Sequence, residues 1–209
     1  MARRIFVTGD THFGHADAIS LFARPVPLGD VAAMDEFLLE RINRRVGKRD
    51  RLIHIGDFTG PHEWKGDEGR ASMEYARGLR AKIACTKVEL ILGNHDPSPK
   101  RAREIFDDAR RVMSWRGWSG GDERIICCHY PLRTWQGVFN GAMHLYGHMH
   151  GAFEPVGRSL DVGVDCWDYG PVPLDDVLAI LAAIPSPRRE ECLPRRQPMR
   201  KVAAPSASI

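Results

Sequence analysis

Five short apolar runs, each closed by polar side chains able to bind a metal or move a proton, constrain this 209-residue chain more than anything else in it. They read RIFVTGDTH (4–12), RLIHIGDFTG (51–60), VELILGNHD (88–96), RIICCHYP (124–131) and HLYGHMH (144–150). Runs of four to six residues rich in Ile, Val, Leu and Phe, with Gly or Pro close behind, are strand-like and too short for independent helices. Between them lie helical patterns. Met34, Phe37, Leu38, Ile42 and Val46 recur at spacings of three and four, with Asp30 placed to cap the N-terminus and Gly47 to stop the helix. Segments 68–82 and 98–108 predict shorter, more exposed helices. Segment 173–184 opens with acidic residues suited to the positive end of a helix. Strands and helices alternate early and strands dominate from 110 to 167, which predicts an α/β fold with a mixed sheet.

If the early strands run parallel, their C-terminal ends gather along one edge, where open α/β proteins bind ligands. The tags then meet in space and bring together Asp10, His12, Asp57, Asn94, His95, Asp96, His129, His148 and His150. Two tags, Asp10-x-His12 and His148-x-His150, place donors two residues apart, on one face if the backbone is extended. Gly9, Gly56, Gly93 and Gly147 would let the chain turn sharply at each donor. Imidazole, carboxylate and amide donors suit Mn, Fe, Co, Ni or Zn rather than the all-oxygen cages of Ca²⁺ or Mg²⁺. Seven ligands exceed one tetrahedral ion. Two ions sharing a carboxylate would use them all and generate a metal-bound hydroxide at neutral pH.

Composition narrows the classes. The five cysteines are odd in number and form no paired spacing, which argues against a disulfide framework and for a reducing cytoplasm. The longest apolar run, 177–184, is far too short to span a membrane, and the first ten residues lack a secretory signal. The net charge of +3 is misleading, because segment 185–209 carries six Lys/Arg against two Asp/Glu and leaves the rest of the chain at −1. That segment is rich in Pro and poor in large apolar residues, so it is expected to be a disordered basic tail beyond a single domain at 1–184.

The pattern D-x-H, G-D, G-N-H-D, H and G-H-x-H, standing here as Asp10–His12, Gly56-Asp57, Gly93–Asp96, His129 and Gly147–His150, resembles the calcineurin-like metallophosphoesterases. The resemblance implies two packed mixed β-sheets flanked by helices and a dinuclear centre. It implies that Asp10, His12 and His150 hold one ion, that Asn94, His129 and His148 hold the other, and that Asp57 bridges them. It also implies that His95 acts as general acid or phosphate-binding residue, with Asp96 fixing its tautomer and orientation. Phe58-Thr59-Gly60 departs from the Asp-Arg-Gly continuation of protein Ser/Thr phosphatases, so a small uncapped bacterial-type phosphoesterase is the nearer likeness.

Around that centre, His15, Arg133 and Trp135 are candidate substrate contacts, the last two because they follow His129 directly. Asp165 and Trp167 are placed at the far rim, and His62 in a loop bordering substrate. His54 and His144 are read as structural. The expected activity is hydrolysis of a small phosphoester, leaning to phosphodiesters of organic or nucleotide type. A phosphomonoesterase, a nuclease whose basic tail holds nucleic acid, and a noncatalytic scaffold are the alternatives.

Overall fold

The computed structural model describes residues 3–116 and 123–189. Among the described residues nine strands form two sheets. Parallel β1 (Ile5–Thr8), β2 (Arg51–His54), β3 (Lys87–Ile91) and β4 (Asp108–Arg110) make the first, with the two-residue β9 (Val172–Pro173) antiparallel at its edge beside β1. Proline there costs the ladder nothing, since an edge strand leaves one row of amides unpaired. The second sheet runs β5 (Val112–Arg116), β6 (Arg124–Cys128), β7 (Met143–Tyr146) and β8 (Ser159–Asp161), parallel except for β5 against β6.

Alternation of side chains assigns the faces. Ile5 and Val7, Ile53 and Ile55, and Ile91 meet Met113, Ile125, Cys127, Met143 and Leu145 between the sheets. Phe6, Leu52, Val88 and Leu90 turn the other way, toward α1 (Ala16–Leu21), α2 (Val31–Arg45) and α3 (Gly66–Lys82). Burial on both faces explains why the runs read as almost continuously apolar. Helix α5 (Leu174–Ala182) adds Leu174, Val177 and Leu181 to the inter-sheet core.

Asp30 caps α2 as expected, its carboxylate accepting the Ala33 amide at 2.9 Å. Two helices differ from the sequence expectation. Helix α3 is 17 residues long and buries Ser72, Met73, Ala76 and Leu79 along one face, so it is neither short nor merely exposed. The helix expected over 98–108 is only α4 (Pro99–Ala102), because Phe106 must enter the core and the Asp107 carboxylate accepts the Val88 amide as the chain returns to the sheet. Beyond Ile184, Pro187 is buried against Gly157. The rest of the expected tail, 190–209, lies outside the described residues. No helix among the described residues is long and apolar enough to cross a membrane.

Candidate metal centre

The C-terminal ends of β1, β2, β3, β6 and β7 deliver their tags to one place. Pairing continues past β1 and β2: Asp10 N–H donates to Gly56 O at 2.9 Å and His12 N–H to Asp57 O at 3.0 Å, which locks the first two tags in register. The extended geometry expected for Asp10-x-His12 and His148-x-His150 is not what forms. Asp10 (φ 55°), His12 (φ 48°), Asp57 (φ 52°), His148 (φ 70°) and His150 (φ 48°) all occupy the left-handed region. β1 has already ended at Thr8, and the chain must curl inward for both donors to face the same point. Each such conformation costs a non-glycine residue roughly 1 kcal/mol or more, and strain of this kind concentrates at functional sites.

The motif glycines act by yielding space more than by turning. A Cβ on Gly93 would collide with the Asp57 carboxylate, one on Gly147 with the Asp10 carboxylate, and one on Gly56 with the His129 ring. Of these three only Gly56 has a positive φ, at 88°.

Three sets of donors converge, each within 4.8 Å: Asp10, His12 and His150; His12, Asp57 and His95; and Asp57, His129 and His148. Asp57 Oδ2 lies 3.6 Å from His12 Nε2, 3.3 Å from His129 Nε2 and 4.0 Å from His95 Nε2. Asn94 Oδ1 sits 3.1 Å from His129 Nε2. Asp10, whose backbone carbonyl and carboxylate are both engaged, accepts the His148 amide on both carboxylate oxygens at 3.0 Å. Asp10 and His129 are 0 % exposed, Asp57 2 % and His12 4 %, so charge is held here away from water.

The donors fit a bound cation. Both ring nitrogens of His12 are buried without a hydrogen-bond partner. His129 Nδ1 lies 3.0 Å from the Ile55 carbonyl, which can only accept, so Nδ1 carries a proton and Nε2 is turned toward two oxygens of Asp57 and Asn94. That nitrogen needs either a second proton or a cation. His150 Nδ1 likewise donates to Asp165 Oδ2 at 2.7 Å, leaving Nε2 as the ligand atom, the arrangement by which a carboxylate orients a metal-binding imidazole. Burial drives the Asp10 carboxyl well above its ordinary range and lowers His12 to about 3. Burial also opposes charge on His129 and Asp57, but their mutual hydrogen bond and attraction outweigh it, raising His129 to about 9 and lowering Asp57 to about 2. The polar cluster thus favours a positive charge beside Asp57.

His95 stands at the mouth, its ring 5.3 Å from that of His12. Its backbone amide donates to Asp57 Oδ1 at 2.9 Å and its carbonyl accepts from Trp64 Nε1 at 2.8 Å. Asp96 does not orient the His95 ring as expected. Its carboxylate accepts three backbone amides, those of Asp57, Phe58 and Gly93, at 2.8, 3.0 and 2.8 Å. It therefore joins the β2 and β3 tags rather than tuning an imidazole.

His15 reaches the same cleft, with ring centroids 5.5 Å from His12 and 6.3 Å from His95. Asp165 lines it too. Trp135 does not: it is buried with Ile126, Val138 and Ala142 on the outer face of the second sheet and donates to Ala142 O at 2.9 Å. Arg133 lines a separate neighbouring cavity, because Pro131 and Leu132 carry the chain away from the donors. His62 faces Trp64 and Tyr75 instead of the cleft. His54 accepts its structural reading, Nε2 donating to the Thr11 hydroxyl at 3.0 Å while that hydroxyl donates to Phe58 O. Sequence reasoning missed Arg24 and Phe22. Arg24, fully buried, pairs with Asp165 and donates to the carbonyls of Asp10 and Thr11 at 2.8 and 2.6 Å, and the Phe22 ring stacks on His150 with centroids 3.4 Å apart. Both sit in the Pro-rich stretch after α1, which carries no motif.

A two-sheet α/β sandwich with His, Asp and Asn donors converging at the ends of its parallel strands is a metal-binding architecture. The family model for Calcineurin-like phosphoesterase matches residues 3–148, and the chain belongs to that family, whose members are metal-dependent and hydrolyse phosphoesters. An uncharacterised protein of Methanocaldococcus jannaschii is 26 % identical over 186 residues, covering 86 % of this chain and 92 % of that protein. A protein of unknown function from Aquifex aeolicus shares the fold, with a TM-score of 0.61 at 20 % identity, covering 86 % of this chain and 100 % of that one. A nuclease of Pseudomonas putida aligns with a TM-score of 0.44 at 21 % identity, over 71 % of this chain and 62 % of that one.

Proposed function

We propose that the protein hydrolyses phosphodiesters of small organic or nucleotide type at a centre holding two divalent or mixed-valence ions. The observation that carries this reading is the position of Asp57, whose Oδ2 faces His12 on one side and His129 on the other. Asp10, His12 and His150 would hold one ion, and Asn94, His129 and His148 the second, with Asp57 shared. Mn, Fe, Co, Ni or Zn suit such a donor set. A bound pair of this kind supplies charge neutralisation and an activated water.

The chain's own groups do the rest. His95, at the mouth with its backbone tied to Asp57 and Trp64, is placed to protonate the departing ester oxygen, and His15 to donate to a non-bridging phosphate oxygen. Asp96 holds the Asp57 and Gly93 amides on one carboxylate oxygen, which keeps the two loops in the close approach that only glycine at position 93 permits. The lean toward diesters rests on charge. No Lys or Arg is among the described residues lining this cleft of about 640 Å³, and a monoester would need an extra cation for its second negative charge.

The test is direct. Chelated protein reloaded with Mn²⁺ is analysed for bound metal and assayed on bis(p-nitrophenyl) phosphate and p-nitrophenyl phosphate. Two ions per chain and faster turnover of the diester are expected. Inactivity on both esters in fully loaded protein would remove the enzymatic reading.

A further inference from the structure

A second cavity of about 310 Å³ lies against the metal centre, lined by Pro131, Leu132, Arg133, Tyr146, Phe153, Val156 and Ser159. Three separate chain segments run from one site into the other. His129 is followed by Tyr130 and then Pro131; Tyr146 is followed by Gly147 and then His148; and Met149, His150 and Ala152, which line the metal cleft, are followed by Phe153. Residues two apart cannot have Cα atoms separated by more than about 7.6 Å, so the two spaces share a wall. Beside the metal centre the half-exposed Tyr130 ring lies 5.1 Å from that of His129 and 4.9 Å from that of His148, between the centre and Pro131 in the chain.

The cavity has the make-up of a ligand pocket, an apolar lining with few polar groups. Ser159 is already committed, its hydroxyl exchanging hydrogen bonds with Val156. Tyr146 is 1 % exposed and its hydroxyl is sealed from solvent, so it closes the cavity as a floor. Phe153 and Val156 expose apolar surface at the rim.

We infer that this cavity receives one ester group of the phosphodiester substrate, a single planar apolar ring. The inference rests on the phosphodiesterase reading and adds to it the class of substrate. With the phosphate at the Asp57 centre, the ring lies across Tyr130 and enters between Pro131 and Val156. The volume holds one substituted ring, at the lower end of the range for small-molecule pockets.

The test uses the full chain loaded with Mn²⁺ and two diesters with a common leaving group, methyl and phenyl p-nitrophenyl phosphate. The expected wild-type preference for phenyl over methyl in kcat/KM is about tenfold, the discrimination an apolar pocket gives. Val156→Trp, filling the rim, should cut that ratio at least about fivefold, mainly through KM. A phenyl-to-methyl ratio unchanged by Val156→Trp overturns the inference.

Binding of methyl p-fluorophenylphosphonate, which cannot be cleaved at carbon, is followed by fluorine NMR in parallel. Line broadening with wild type that is lost in Val156→Trp supports the cavity even where no ester is turned over, in which case only the hydrolytic reading fails. Equal broadening in both proteins, or none in wild type, sinks the cavity assignment while leaving hydrolysis to its own assay.

Discussion

The Arg24 guanidinium grips the Asp165 carboxylate through two parallel hydrogen bonds, Nε to Oδ1 at 3.1 Å and Nη2 to Oδ2 at 3.2 Å, and both side chains are buried. Asp165 in turn holds His150 Nδ1, and Arg24 also reaches the carbonyls of Asp10 and Thr11. One cation thus fixes donors that are 140 positions apart in the chain. Arg24→Lys keeps the charge but cannot serve four acceptors from one fork. We expect metal affinity to fall about 10- to 100-fold, measured by competition with a chelator. Unaltered affinity would separate Arg24 from the centre.

Gly93→Ala should fold and yet lose metal. Its Cβ would meet the Asp57 carboxylate and backbone nitrogen, and that nitrogen is tied to Asp96. Less than one retained ion per chain after dialysis is the expected result, read by elemental analysis beside a thermal melt. Gly78→Ala is the control: nothing lies near its Cβ on the exposed face of α3, so a gain of about 0.5–1 kcal/mol is expected. Full metal loading in Gly93→Ala would show that the loop can yield.

His95→Gln should keep its metal and lose rate according to the leaving group. For an alkyl leaving group the loss should be about 10²- to 10⁴-fold, and for p-nitrophenyl much smaller. Equal losses on both would give His95 a binding role instead of proton transfer.

His144 provides a pH dependence away from the chemistry. The Leu132 amide donates to its Nε2 at 3.1 Å, while Nδ1 donates to Ile126 O at 3.1 Å, so the buried ring must be neutral. Burial lowers it to about 4. The unfolded chain therefore takes up this proton first, near 6.5, and stability falls as pH drops from about 6.5 toward 4 and is fully present above that window. Between pH 7 and 5 the contribution is on the order of 1–2 kcal/mol. Urea unfolding at both pH values should show a smaller loss for His144→Gln than for wild type; an equal loss would acquit His144.

How much of this was legible in the sequence depended on whether a residue's role is local. The tags could be read because strand, glycine and donor are adjacent, and parallel pairing of β1 to β4 then puts them together. Asp96 could not, because its partners are backbone amides of Asp57 and Phe58, nearly forty residues away. Trp135 follows a donor closely, but the Pro131 turn sends it into the outer core of the second sheet. Arg24 has no local signature at all: its meaning lies in Asp165, reached only after the second sheet has formed.

The left-handed backbone of Asp10, His12, Asp57, His148 and His150 has a consequence for how this protein can change. Glycine at any of them would relax the main chain by roughly 1 kcal/mol while deleting a donor. Screening variants for heat resistance alone would thus select against the centre, and only a screen that also demands turnover would preserve it.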